Sequence, residues 1–240
     1  MPLILQIHGG PAYATVNSFF IDYQLLAGLG YAVLSPNYRA STGYGDEVLR
    51  GLMGEVGDGE YIDSMNGVDY VIVNKNIDAD RMGIKGRSWG GVHVSYAITK
   101  THRFKAASIG AMVSNWAAET GPGFSFDVGF WYIGGTPWGN PAEWAKRSSI
   151  THVKNITTPS IIFHGGEDTT SSVGQSLMFF TAMRDIGKAP VRYIKFPRQG
   201  HSNHEPRLIR IRQIEEFKWY KKYIDGEDWQ PWVRAESNKK

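Results

Sequence analysis

The chain of 240 residues contains no cysteine. This absence excludes disulfides, thiolate nucleophiles and metal sites built from cysteine. No apolar run approaches the roughly 20 residues that a membrane-spanning helix requires. Residues 1–5 have neither a basic segment nor a long apolar core, so they do not resemble a signal peptide. These absences predict a cytoplasmic protein without a membrane partner.

Strong charge of one sign is also missing. The formal net charge is only +3, and the basic clusters are confined to residues 207–212 and 239–240. A solvated helix face accounts for such clusters better than nucleic-acid binding does. The sequence has no His-Glu-x-x-His motif and no clustered acidic set, so we expect neither a metal nor another cofactor.

Apolar residues make up 42% of the chain, which is ample for a packed core. Short apolar runs alternate with segments of helical periodicity, and this alternation predicts an α/β fold with a mostly parallel sheet and helices on both faces. We expect one domain over residues 1–240. The predicted strands are 3–7, 31–34, 81–85, 106–110, 160–163 and 191–196, and the predicted helices are 18–29, 60–74, 92–98, 174–184 and 206–224.

One long segment, residues 115–149, has many aromatic residues and no clear periodicity. A segment of that kind is typical of a lid or a pocket wall, although ordinary core packing is an equally good explanation for any single aromatic. The residues that we select as the substrate pocket are Trp116, Phe130, Trp131 and Trp138.

The sequence Gly86-Arg87-Ser88-Trp89-Gly90 lies between a predicted strand and a predicted helix. A Gly-x-Ser-x-Gly in that position is typical of the nucleophile elbow, in which a tight turn presents the serine hydroxyl at the carboxyl edge of a sheet. The motif alone is common, so its position between strand and helix is what favours a catalytic role for Ser88.

Two later loops offer the base and the acid that a serine nucleophile needs. Asp168 lies five residues after strand 160–163, and His201 lies five after the strand that ends at residue 196. Ser88, Asp168 and His201 follow the chain order of this kind of triad. Glu167 and His204 are rivals for the two partner roles, and no spacing argument removes them.

An oxyanion hole requires two backbone N–H donors. Trp89 supplies the first, at the start of the helix after the elbow. The loop His8-Gly9-Gly10-Pro11 follows the first strand, and we predict Gly10 as the second donor with Gly9 as the alternative. A plain tight turn is the alternative explanation for this loop, and we favour the oxyanion role.

Several of these pieces together resemble the prolyl oligopeptidase family, in its branch of acylaminoacyl and dipeptidyl peptidases. The matching segments are residues 8–11, 26–45, 54–70, 86–91, 164–168, 175–176 and 197–201. The resemblance implies an α/β-hydrolase domain, a triad of Ser88, Asp168 and His201, and an oxyanion hole that includes the Trp89 amide.

The sequence also departs from that family. The family's β-propeller and the strands that precede His-Gly-Gly-Pro have no counterpart here, so we expect no propeller and an unprotected sheet edge that favours a homo-oligomer. Trp89 replaces the usual tyrosine, and residues 170–172 replace Arg-Val-Pro.

Three functions remain open at this point. The first is a serine peptidase acting on short peptides or acyl-amino-acid substrates, for which Arg39 and Glu119 are possible substrate contacts if they are not structural. The second is a carboxylesterase that acts on small acyl esters with the same triad. The third is a non-catalytic interaction module, which the complete triad disfavours.

Overall fold

The computed structural model describes residues 1–123 and 126–231. Within those ranges the strands form a single six-stranded sheet with the order β2-β1-β3-β4-β5-β6. Every neighbouring pair is parallel, which confirms the predicted architecture. The strands are β1 (Leu3–Ile7), β2 (Ala32–Leu34), β3 (Met82–Arg87), β4 (Ala106–Gly110), β5 (Ser160–Gly165) and β6 (Val191–Phe196).

The five predicted helices have bounds that differ by a few residues at most ends, whereas the short helix Asp46–Arg50 and the helices of the aromatic segment were not predicted. The basic pair at residues 239–240 lies outside the described residues. The helices are α1 (Ile21–Gly28), α2 (Asp46–Arg50), α3 (Asp58–Asn74), α4 (Trp89–Lys100), α5 (Trp116–Glu119), α6 (Phe126–Ile133), α7 (Pro141–Arg147), α8 (Val173–Ile186) and α9 (Pro206–Tyr220), with a 3₁₀ segment at Ser149–Asn155 and a π turn at Lys221–Asp225.

The expectation that residues 115–149 are irregular was wrong. This segment carries α5, α6 and α7, which have 4, 8 and 7 residues. Helices of one or two turns repeat the 3.6-residue period too few times to be recognised from apolar spacing, and this explains the missed elements.

The two faces of the sheet are covered by different helices. Helices α3, α4 and α8 cover one face and enclose the larger apolar core, whereas α1 and α9 cover the other. Alternation along β1 follows this division, since Leu3 and Leu5 point into the larger core and Ile4 points toward Tyr220.

The face covered by α9 also holds buried charge. Lys85 Nζ lies 2.7 Å from Glu216 Oε2, and the Ser108 hydroxyl donates to Glu216 Oε1 at 2.6 Å. Because each buried charge has an opposite charge or a hydrogen-bond donor beside it, the network does not leave an isolated ion in the core.

Strand β2 is one edge of the sheet, and several apolar side chains outside the sheet are open to solvent. Phe19 is 74% exposed and Val73 is 82% exposed. In residues 1–123 and 126–231, no helix combines the length and the apolar character that crossing a bilayer demands.

Candidate active site

Ser88 occupies the turn between β3 and α4, in a backbone conformation that non-glycine residues rarely adopt (φ 60°, ψ −127°). Two glycines make this turn possible. A Cβ on Gly86 would overlap the carbonyl of Gly90, and a Cβ on Gly90 would overlap the carbonyl of Ile7. The spacing of the motif is therefore set by close backbone contacts around Ser88.

The structure brings Ser88, His201 and Asp168 together from the loops after β3, β6 and β5. The Ser88 hydroxyl donates to His201 Nε2 at 2.8 Å, and His201 Nδ1 donates to Asp168 Oδ2 at 2.8 Å. Parallel strands place their carboxyl ends at one edge of a sheet, which is why residues so distant in sequence meet there. The geometry is that of a hydrogen-bonded relay from alcohol to imidazole to carboxylate.

The Asp168 carboxylate is saturated with donors. Its Oδ1 accepts from the N–H groups of Thr170 and Ser171 at 2.9 and 3.0 Å, and a second imidazole, that of His164, lies 3.2 Å from Oδ2. Burial alone would raise the pKa of this carboxyl, but the hydrogen bonds from the two imidazoles and the Ser171 N–H outweigh burial and hold the pKa well below its ordinary value. The group therefore stays ionised at neutral pH.

Glu167 and His204, the alternatives that the sequence left open for the acid and the base, are not part of the relay. Glu167 is exposed, and so is His204. The buried side chain of Gln199 accepts from the His204 backbone N–H at 2.8 Å, and the hydrogen bonds to Ser88 and Asp168 are made by His201 instead. Only Asp168 and His201 reach the relay.

The predicted oxyanion donors lie beside Ser88. No described residue accepts a hydrogen bond from the backbone N–H of Gly10 or of Trp89. Gly9 is the closer of the two glycines, because a Cβ on it would lie 3.2 Å from Ser88 Cβ. Gly10 has φ 131° and precedes a cis peptide bond to Pro11. Both glycines thus lie in a loop whose backbone comes close to the nucleophile.

Tyr38 packs against the loop after β1 and holds it in place, a role that the sequence analysis missed. Its hydroxyl donates to the His8 carbonyl at 2.9 Å, and its ring stacks on the His8 ring at 4.4 Å. The Ser41 hydroxyl donates to His8 Nε2 at 3.0 Å. Burial lowers the pKa of His8, so this imidazole is neutral at pH 7. The signal for Tyr38 was its place in the matching run of residues 26–45.

The four aromatic residues predicted as the substrate pocket are spread apart. Trp116 is 2% exposed and packs against Trp89, whereas Phe130 is half-buried against Trp144. The other two are exposed to solvent, Trp131 at 68% and Trp138 at 74%. None of the four lines either of the two cavities that border His201. The positions of Trp116 and Phe130 are explained by packing of large apolar rings in the core. Nothing in the structure explains why Trp131 and Trp138 are exposed.

The two possible substrate contacts have structural partners. Arg39 pairs with Asp63 at 2.8 Å, and Glu119 is fully buried, where it accepts from the Ser172 N–H at 3.0 Å. In the part of the chain that the structure describes, no group of three or more His, Asp or Glu side chains could hold a metal ion.

A cavity of about 380 Å³ opens directly beside the nucleophile. It lies between the loop after β1 and His201, and no carboxylate lines it within the described ranges. Its lining residues are Gln6, Ile7, His8, Gly9, Gly10, Ala12, Tyr13, Arg87, Ser88 and His201. We call this the front cavity.

A parallel sheet with a strained serine turn and a relay at its carboxyl edge defines the α/β-hydrolase class. The model of the prolyl oligopeptidase family matches residues 17–227, and the chain belongs to that family. The fold predicted from the resemblance is thereby confirmed.

Individual relatives agree with this assignment. The chain is 32% identical over 233 residues to the uncharacterized peptidase YuxL of Bacillus subtilis, covering 93% of this chain and 35% of the relative. It is 29% identical to acylamino-acid-releasing enzyme 2 of Oryza sativa, covering 93% and 30%. The structure of the acylaminoacyl peptidase of Pyrococcus horikoshii superposes with a TM-score of 0.89 at 26% identity, covering 97% and 38%. The chain thus spans about a third of the length of these relatives.

Proposed function

We propose that residues 1–240 form the catalytic domain of a serine peptidase, with residues 115–149 as a lid, and that it cleaves short peptides or acyl-amino-acid substrates through an acyl-enzyme on Ser88. The observation that carries the proposal is the pair of 2.8 Å hydrogen bonds linking Ser88, His201 and Asp168. Two similar proteins are named as an acylamino-acid-releasing enzyme and an acylaminoacyl peptidase, which supports this substrate class.

The relay suggests how each bond is made and broken. The Ser88 oxygen attacks the acyl carbon while its proton passes to His201 Nε2, and the carbonyl oxygen takes the negative charge. The C–N bond then breaks as His201 returns that proton to the leaving nitrogen. Water, deprotonated by the same imidazole, hydrolyses the Ser88 ester and restores the hydroxyl. Asp168 remains ionised throughout and holds Nδ1–H in place.

The oxyanion is the point of greatest charge development. The open N–H groups of Trp89 and Gly10 are the donors that we assign to it, with Gly9 as the alternative for the second position. Preorganised donors of this kind stabilise the tetrahedral state because they need no reorientation when the charge forms.

Esterase activity is the second candidate. No carboxylate of the described part lines the front cavity, so nothing there pairs with the free ammonium of an unblocked peptide. An acylated amino acid or a simple ester fits this environment better than a free amino terminus does. Comparing turnover of acyl-aminoacyl p-nitroanilides with that of p-nitrophenyl acetate, butyrate and octanoate distinguishes the peptidase from the esterase. Turnover of the esters alone would rule out the peptidase function.

The central test is the Ser88→Ala variant. Hydrolysis of p-nitrophenyl acetate and of an acyl-aminoacyl p-nitroanilide should fall by a factor on the order of 10⁴ to 10⁶, while circular dichroism shows an intact fold. His204→Ala is the matched control, since His204 is exposed on the same loop as His201. If wild type and Ser88→Ala were equally inactive on every acyl substrate, the non-catalytic interaction module would replace this proposal.

We also propose that the chain forms a homo-oligomer. The unpaired edge of β2 and the exposed Phe19 and Val73 support this, because open strand edges and apolar side chains favour self-association. Light scattering across protein concentrations tests it, and a constant monomer mass would overturn it. A cytoplasmic location stays a prediction from the sequence.

A further inference from the structure

Arg87 is the residue immediately before Ser88, and its side chain has no role in the relay. It runs across Gly110 at the end of β4, where a Cβ would lie only 3.2 Å from Arg87 Cγ. Its guanidinium donates to the Ser202 hydroxyl at 2.9 Å, next to His201 in sequence. The absence of a side chain at Gly110 therefore leaves room for a cation close to the catalytic imidazole.

Arg87 lies between two cavities. It lines the front cavity beside Ser88, and it also lines a second cavity of about 280 Å³ that extends toward α9, which we call the rear cavity. Gln6 and His201 are the other residues shared by both. A group bound next to His201 can thus approach the Arg87 guanidinium.

The charge of Arg87 is uncompensated, whereas the other cations of the rear cavity are paired. Lys85 lies 2.7 Å from Glu216, and Arg212 lies 3.1 Å from Asp22. Within residues 1–123 and 126–231, no carboxylate oxygen lies within 4.0 Å of the Arg87 nitrogens. Among the described cations that line the two cavities, Arg87 is therefore the one without a carboxylate partner within 4.0 Å.

The nearest catalytic carboxylate does not neutralise Arg87 by contact. Asp168 attracts Arg87 through space, but its two oxygens are already occupied by four donors. A guanidinium offers five N–H donors, and the Ser202 hydroxyl accepts one of them. Donors remain for a bidentate contact with a carboxylate.

The direction of the leaving group follows from the proposed chemistry. His201 Nε2 must give its proton to the leaving nitrogen, so that nitrogen lies on the His201 side of the acyl carbon. The oxyanion faces the opposite way, toward Trp89 and the loop after β1. The leaving group consequently lies on the side of His201 away from that loop, where Arg87, His201 and Ser202 line the rear cavity.

We propose that Arg87 is a specificity-determining residue that binds the free carboxylate of a short leaving group. The preferred substrates are then acylated peptides whose scissile bond lies one or two residues from a free carboxyl terminus. Each extended residue adds only about 3.3–3.6 Å, so a longer leaving peptide would carry its carboxylate past the guanidinium. This inference rests on the proposed peptidase function.

The test compares acetyl-Ala-Phe-Ala carrying a free carboxylate with the same peptide carrying a carboxyl-terminal amide. Wild type should cleave the acid with a kcat/KM at least about ten-fold higher than the amide, because a charge-assisted hydrogen bond is lost in the amide. In Arg87→Gln the ratio of acid to amide should fall to near 1, and Arg87→Lys should restore part of it.

Ser202→Ala is the matched control. It removes the hydrogen bond to Arg87 but keeps the cation, so the preference for the acid should persist. A ratio near 1 in wild type, or an undiminished ratio in Arg87→Gln, would overturn the proposal while leaving the peptidase function intact. Cleavage of neither peptide by wild type would instead overturn the peptidase function, and this inference with it.

A measurement on the wild type alone covers the case in which Arg87→Gln does not fold. Free Ala-Ala should inhibit hydrolysis of p-nitrophenyl acetate about ten-fold more tightly than Ala-Ala amide does, since the dipeptide mimics the departing product. Equal inhibition constants for the two would contradict binding of a carboxylate at Arg87.

Discussion

Two buried histidines, His164 beside Asp168 and His93 beside Tyr38, differ in whether their ring nitrogens have hydrogen-bond partners. His164 Nδ1 accepts from the Ser176 hydroxyl at 2.6 Å, and its Nε2–H is shared between the Ser171 carbonyl at 3.0 Å and Asp168 Oδ2 at 3.2 Å. His93 is equally buried, but among the described residues neither of its ring nitrogens has a hydrogen-bond partner.

The same contrast extends to the groups that these histidines support. On the acid side, His164 and two backbone N–H groups fix Asp168 with directional hydrogen bonds. On the oxyanion side, the His93 ring packs edge-on against Tyr38, which in turn holds the His8 carbonyl through one hydrogen bond. Asp168, which is charged throughout the catalytic cycle, has hydrogen-bond donors on both oxygens. The backbone N–H groups of the oxyanion hole, which are needed only while a transient charge exists, have no acceptor in the described part of the chain.

The largest expected effect comes from breaking the acid side. Asp168→Asn should lower kcat by roughly 10⁴-fold, because an amide cannot hold the imidazole in the required tautomer as a carboxylate does. The measurement is kcat for p-nitrophenyl acetate at pH 7. Glu167→Gln removes the neighbouring exposed carboxylate and should leave kcat within about two-fold. Comparable losses in the two variants would refute the assignment of the acid.

The second prediction concerns His93 and the pH dependence of stability. Burial, and to a smaller extent the nearby His8, lower the pKa of His93 to about 3 from the ordinary value of 6.5. Below pH 6.5 the unfolded chain therefore binds a proton that the folded protein does not, and stability is lost as the pH falls toward 3. The slope from this one group is about 1.4 kcal/mol per pH unit.

His93→Phe should remove that slope. Urea unfolding at pH 7, 6, 5 and 4 should show the variant gaining stability relative to wild type by about 1.4 kcal/mol per pH unit below pH 6. Glu60 has the opposite effect, because burial raises its pKa to about 7 and its contribution is lost as the pH rises. Both proteins contain Glu60, so the difference isolates His93. Parallel pH profiles would count against an unpartnered neutral imidazole.

The smallest effect tests the single hydrogen bond under the oxyanion loop. Tyr38→Phe keeps the stacked ring but loses the donor to the His8 carbonyl, so kcat for p-nitrophenyl acetate should fall by about ten-fold or less. Tyr44→Phe is the control, since Tyr44 belongs to the same run but is exposed, and its hydroxyl accepts from the Asn37 side chain. An unchanged kcat in Tyr38→Phe would mean that packing alone positions the loop.

Much of the fold could be predicted from the sequence because the signals are local. Short apolar runs such as Leu3–Ile7 and Val191–Phe196 gave strand bounds that match the structure. The helices α5, α6 and α7 were missed, since one or two turns produce no detectable period. The substrate pocket could not be predicted from aromatic content, because a buried tryptophan and an exposed one look alike in sequence.

The sequence by itself determined which loops follow strands and, through Gly86, part of the turn at Ser88, since a side chain on Gly86 would overlap the nearby carbonyl of Gly90, whereas Gly90 is required by the carbonyl of Ile7 in the neighbouring strand. Only the tertiary structure decided that Asp168 and His201, rather than Glu167 and His204, reach that turn. It also decided that Arg87 keeps a free charge beside His201. The physical reason is that side-chain pairing across more than 30 residues depends on how strands order themselves in the sheet, and no local spacing records that order.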